Sequence, residues 1–148
     1  MYKNILVAID DSETSRSALV EAVHIARTSN AKLYVTHVAD ETLLRMHNRT
    51  VSTTDDFDKA IRSLATAGRS LLEEAMKSAD GIHAEPLLLE ALDRRVSETI
   101  AEKAKELNID LIVIGRHGRR GLATFILGSV AEQLARIANA SVLLVRKH

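Results

Sequence analysis

Apolar residues along this chain fall into two rhythms, and the alternation between them lays out an architecture. Ile5 to Ile9 is an unbroken aliphatic run closed by Asp10, Asp11 and Ser12. A strand buried on both faces has this pattern. Ala18, Leu19, Ala22, Val23, Ile25 and Ala26 then recur at helical spacing. Asp11 or Ser12 can cap that helix, and Asn30 can end it in a left-handed turn. Leu33 to Val38 predicts a second strand, and the polar stretch from Asp40 to Asp56 predicts a loop. Phe57, Ile61, Leu64, Leu71, Leu72, Ala75 and Met76 mark a long helix, with Gly81 behind it. Ile82 to Glu90 predicts a third strand. Pro86 inside it cannot donate to a ladder, which assigns this strand to a sheet edge. Val96, Ile100, Ala104 and Leu107 give another amphipathic helix, followed by the aliphatic strand Leu111 to Ile114, which ends at Gly115. A loop rich in glycine and arginine leads to a helix from about Ser129 to Ala138, and Val142 to Val145 is the last strand.

Strands that alternate with helices build βαβ units, hence an α/β fold with a parallel sheet covered on both faces. Right-handed crossovers limit the topologies. The expected form is a doubly wound, Rossmann-like five-stranded sheet in the order 3-2-1-4-5, with the Pro86 strand at one edge and the final strand at the other. The 148 residues fit one domain, taken as 1–148, with no internal repeat.

Composition narrows the function. Twenty basic and twenty acidic residues cancel, which argues against a general nucleic-acid binder. Only Tyr2, Tyr34, Phe57 and Phe125 are aromatic, too few for a base-stacking platform. Without cysteine there is no disulfide or thiolate site, which suits a reducing compartment. No apolar run approaches membrane-spanning length, and the N-terminus enters its first strand without a secretory signal. The expectation is a soluble cytoplasmic protein.

Open parallel sheets bind ligands beyond the carboxyl ends of the strands, where the strand order reverses. Here that place lies between the first and fourth strands. Asp10-Asp11-Ser12 leaves one, and Gly115-Arg116-His117-Gly118 leaves the other, running on to Gly128-Ser129. The second segment fits Gly-x2-Gly-x9-Gly-Ser. Gly115 and Gly118 permit close backbone approach and positive φ. Gly128 and Ser129 open a helix, where amides and the dipole favour an anion. Arg116, His117, Arg119 and Arg120 add positive charge, so a phosphate-bearing ligand fits. The plainer alternative is that the glycines only shape turns and that Asp10 or Asp11 only caps a helix. Neither a Walker signature nor a dinucleotide fingerprint is present.

These residues also carry a resemblance. Lys3 through Ser12, His37-Val38, Ile114-Gly115-Arg116-His117-Gly118, Gly128-Ser129-Val130 and Ser141 through Val145 resemble the universal stress protein family, in its ATP-binding branch, over essentially the whole chain. The resemblance implies that Asp10 contacts the ribose or adenine side. It implies that Ala8 and Ile9 line the adenine pocket with Ile114, and that Val38 backbone groups read the adenine edge. Gly115 and Gly118 would sit against ribose and phosphate, and Gly128, Ser129 and Val130 would hold phosphates. Mg²⁺ or Mn²⁺ would ride on the phosphates, because hard cations take oxygen ligands. The chain departs from the family at Glu90-Ala91-Leu92-Asp93, where glycine is common after the third strand, and at Ala140-Ser141, where proline is common.

Three functions are consistent with this: a homodimeric ATP-binding module of the stress response, a slow ATPase or phosphotransferase, and a nucleotide-free interaction module. Arg116, His117 and Asp10 are the only candidates for an ATPase, and no catalytic residue is assigned. The acidic pair also occurs in response-regulator receivers, which need a further aspartate at the end of their middle strand, but here the fourth and most central apolar strand ends in Gly115 and the third in Glu90. His24, His47, His83 and His148 lack metal-ligand spacing, and His37 is expected to be packed or hydrogen-bonded. Val142 to Val145 forms a bare apolar edge, which invites two-fold antiparallel pairing with a second copy; the resemblance implies the same assembly.

Overall fold

The computed structural model describes residues 1–41, 54–116 and 128–147. The described elements run β1 (Asn4–Ala8), α1 (Glu13–Ser29), β2 (Lys32–Ala39), α2 (Thr54–Lys77), β3 (Ala84–Glu90), α3 (Val96–Glu106), β4 (Leu111–Gly115), α4 (Ser129–Ile137) and β5 (Ser141–Val145). All strand pairs are parallel, in the order β3-β2-β1-β4-β5. This is the doubly wound order expected from the pattern. The continuous aliphatic runs take the centre: Ile5, Leu6, Val7, Ile112 and Val113 have no exposed surface. Pro86 lies on the edge strand β3, opposite Val35.

Side chains alternate across the pleat and feed two apolar layers. Ile5, Val7, Ile9, Leu33 and Val35 pack with Ala18, Leu19, Ala22 and Val23 of α1 and with Leu72 and Ala75 of α2. Leu6, Tyr34, Ile112 and Ile114 pack on the other face with Ile100 and Ala104 of α3 and with Ala131 and Leu134 of α4. The polar loop predicted from Asp40 to Asp56 falls largely outside the described residues, and α2 begins at Thr54 within its span.

Local chemistry fixes the helix ends. Ser12, rather than Asp11, caps α1: its side chain accepts the Ser15 N–H, which satisfies one of the unpaired first-turn amides. Asn30 ends the helix in the left-handed region (φ 52), and the Ala31 N–H reaches back to the Ala26 carbonyl at 2.9 Å. The buried Ser97 hydroxyl of α3 lies 2.6 Å from Gln133 Oε1 of α4 and ties the two helices of one face together.

The loop after β3 holds Ala91, Leu92 and Asp93. Leu92 adopts φ 53, a left-handed conformation, and is 53% exposed. An L-residue with a β-carbon pays roughly 1–2 kcal/mol there, whereas glycine does not. Glycine loses about 0.5–1 kcal/mol more chain entropy on folding, which offsets part of the gain. Leu92→Gly is therefore expected to raise stability by up to about 1 kcal/mol, read as a higher denaturant midpoint at unchanged slope.

Candidate functional site

β1 and β4 are neighbours, with Ala8 opposite Ile114. Their chains leave in opposite senses: β1 feeds α1 on one face, and the chain after β4 returns as α4 on the other. A crevice at the carboxyl ends follows from this divergence.

On the β1 side, the Ile9 N–H donates to the Thr36 carbonyl at 2.8 Å and carries the sheet one residue past the strand. The Asp10 N–H donates to Ser15 Oγ at 2.8 Å, and Asp10 Oδ1 accepts the Ser12 N–H at 2.8 Å. The carboxylate thus closes an Asx turn at the mouth of α1. The alternative of Asp10 as a helix cap is resolved in favour of this turn, with Ser12 as the cap. Ser15 and Thr14, both buried, were not predicted from the sequence. Ser15, three residues after a capping serine, was the available signal.

On the β4 side, Arg116 is a junction. Its N–H donates to the Val145 carbonyl of β5, and its carbonyl accepts the Gly128 N–H, both at 2.8 Å. Gly128 precedes α4 with φ −60 and ψ 145, an extended conformation open to any residue. The Glu132 N–H donates to the Gly128 carbonyl at 2.9 Å. Ser129, Val130 and Ala131 therefore present first-turn amides ahead of that bond, at the positive end of the helix dipole.

The apolar candidates divide between the two faces. Ala8, Val38, Ile114 and Val130 share the α3–α4 side. Ile9 does not join them: its side chain is buried in the α1–α2 cluster. Pleat alternation sends neighbours to opposite faces, so Ala8 alone of this adjacent pair lines the α3–α4 side. Gly115 also needs correction. It has no positive φ, and a β-carbon there would lie 2.9 Å from Thr14 Oγ1 and 3.0 Å from the Thr14 backbone carbon. Its missing side chain makes room for α1. His117 and Gly118 lie outside the described residues.

The family model described as "Universal stress protein family" matches residues 1–146. The chain belongs to that family. It is 34% identical to the universal stress protein YxiE of Bacillus subtilis, over 99% of this chain and 100% of that one. A universal stress family structure from Burkholderia pseudomallei superimposes with a TM-score of 0.75 at 30% identity, covering 97% of this chain and 96% of that one. Another, described as a universal stress protein in complex with cAMP, gives a TM-score of 0.70 at 25% identity, covering 99% and 98%.

Within this family fold, charge at the strand ends is mixed. Glu13 in the first turn of α1 pairs with Lys147 beyond β5, and the hydrogen bond from Lys147 lowers the Glu13 carboxyl below its usual range. Both side chains are exposed, so the pair contributes little stability. No group of three or more histidine, aspartate or glutamate side chains able to hold a metal occurs among the described residues. Among the described residues, no helix is long and apolar enough to cross a membrane.

The Gly115 contact yields a test. Gly115→Ala places a methyl against the Thr14 backbone, which cannot rotate away, and overpacking of this kind costs about 1–3 kcal/mol. A drop of that size in unfolding free energy is expected with no ligand present; an unchanged midpoint would show that the Thr14 contact does not require glycine.

Proposed function

We propose that this universal stress protein binds ATP in the crevice between β1 and β4 and acts as a homodimeric nucleotide-responsive module. The observation that carries this reading is the start of α4. Gly128 occupies a conformation that does not require glycine, next to amides that helix geometry leaves unpaired within the helix. A phosphate chain needs both an unobstructed backbone and such donors. The family structure described with cAMP supports an adenine nucleotide as the ligand class.

In this reading Ala8 and Ile114 form the apolar floor under adenine, and Val38 backbone groups read its edge. Asp10 meets the ribose. Gly115, Arg116, His117 and Gly118 follow the sugar and phosphates, which end on Gly128, Ser129 and Val130. The described residues contain no preformed cation cluster, so Mg²⁺ or Mn²⁺ would arrive on the phosphate oxygens.

Mass spectrometry of small molecules released from the purified, denatured protein should detect ATP or its products. Gly128→Val, which the backbone conformation tolerates, is expected to lower ATP affinity at least about tenfold, roughly 1.4 kcal/mol, while thermal stability stays near wild type. No released nucleotide together with no titratable binding by the wild-type protein would end this reading.

The proposed dimer joins two β5 strands. The Ser141 N–H donates to Asp110 and the Val145 carbonyl accepts from Arg116. Residues 141, 143 and 145 therefore turn their backbone groups toward β4, and Val142 and Leu144 turn theirs outward. Val142→Pro removes an outward N–H without touching the β4 ladder. Sedimentation should show a dimer for the wild type and a shift toward monomer for this variant; an unchanged distribution would exclude pairing through this edge.

A further inference from the structure

The peptide group between Ile9 and Asp10 is held from both sides. Its N–H donates to Ser15 Oγ at 2.8 Å. Its carbonyl lies 2.8 Å from His37 Nδ1. A carbonyl only accepts, so Nδ1 carries the proton and donates. The β1–β2 register pairs end at Ala8 and Thr36. One residue later, where the chain turns away from the sheet, a side chain of β2 takes the carbonyl.

The ring is itself backed by α2. Gly68 stands in the middle of that helix, where glycine costs about 0.5–1 kcal/mol relative to alanine. A β-carbon at Gly68 would lie 3.0 Å from His37 Cδ2 and 2.8 Å from Leu88 Cδ1. The absent methyl lets α2 press directly on the imidazole. Gly68, His37 and the Ile9 carbonyl therefore form a line from helix to sheet to turn, and it ends at the peptide that carries the Asp10 Cα.

We propose that His37 is a positioning residue: backed by Gly68, it fixes the plane of the Ile9–Asp10 peptide and thereby aims Asp10 into the crevice. The inference rests on the nucleotide reading for its consequence, because Asp10 is there the ribose contact. It does not rest on it for its mechanism, which is a property of the ligand-free turn.

The test compares His37→Leu, which keeps bulk and removes the donor, with His37→Asn, whose side-chain N–H₂ can occupy the place of Nδ1. Amide hydrogen exchange at Asp10 and Ser12 is measured by NMR on ligand-free protein, and ATP affinity by calorimetric titration. His37→Leu should speed exchange at these two amides about tenfold and weaken ATP about tenfold, the scale of one lost hydrogen bond. His37→Asn should recover most of both. Gly68→Ala, which displaces the ring without altering it, should act in the same direction as His37→Leu. Exchange at Asp10 and Ser12 that stays at the wild-type rate in a folded His37→Leu protein would overturn the proposal, as would a folded His37→Asn protein no better than His37→Leu. If the wild type takes up no nucleotide, the ATP reading falls instead, and the exchange rates still decide whether His37 holds the turn.

Discussion

The parallel pairing of β1 with β4 is the constraint from which the site follows. Both strands are aliphatic and enclosed, so each must be covered on two faces by helices. Covering both faces forces the two chains apart as they leave the sheet, one into α1 and the other toward α4. The gap lies beside two helix N-termini, those of α1 and α4. Ser12 occupies the first with its own hydroxyl. The second has no side-chain cap. An anion is therefore expected at α4 rather than at α1, although both helices point the same dipole end at the crevice.

Much of this was legible because it depends on short-range pattern. Uninterrupted aliphatic runs identified the central strands, and Pro86 assigned β3 to an edge through its missing N–H. Ser12 and Asn30 closed α1 by local capping chemistry. The Gly-Ser pair at 128–129 indicated a helix start, which the structure also has. What the pattern did not resolve depends on contacts between distant segments. Gly115 reads in one dimension as a glycine free to take a positive φ beside a ligand; in three it has no positive φ, and its missing side chain also forms the notch that admits Thr14. Ile9 lies next to Ala8 in sequence, but the pleat turns it into the opposite layer. Ser15 and Ser97 look like ordinary helix serines until their partners, the Asp10 amide and Gln133, are brought to them. Leu92 gave only an indirect signal, through the glycine that the family resemblance leads one to expect after β3; the structure holds this leucine in a left-handed backbone.

The polar bonds around the crevice stabilise a particular backbone rather than the fold as a whole. Ser15 and Asp10 are five residues apart, and their contact costs little chain entropy to form. The Ser97–Gln133 bond spans far more sequence and acts differently, locking α4 to α3. That lock fixes the α4 axis, and with it the direction of the first-turn amides on which the proposed phosphate contact depends. A buried hydroxyl with a satisfied partner is worth about 1 kcal/mol in stability, but it contributes more here as an orienting contact.

Arg116 connects the remaining parts. Its amide closes onto Val145, the last residue of β5, and its carbonyl receives the amide that opens α4. Edge strand and helix start thus share one residue's backbone. Lys147, two residues past β5, returns to Glu13 at the start of α1. The last residue of β5 and the proposed phosphate cradle are therefore linked through Arg116, a route by which edge pairing and ligand binding could be coupled. Such coupling has thermodynamic content only if the ligand binds the two edge states unequally. A free β5 leaves Val142 and Leu144 with outward backbone groups exposed to water, and a paired β5 does not. Arg116, which joins Val145 to Gly128, is the residue through which such a difference would reach the proposed cradle.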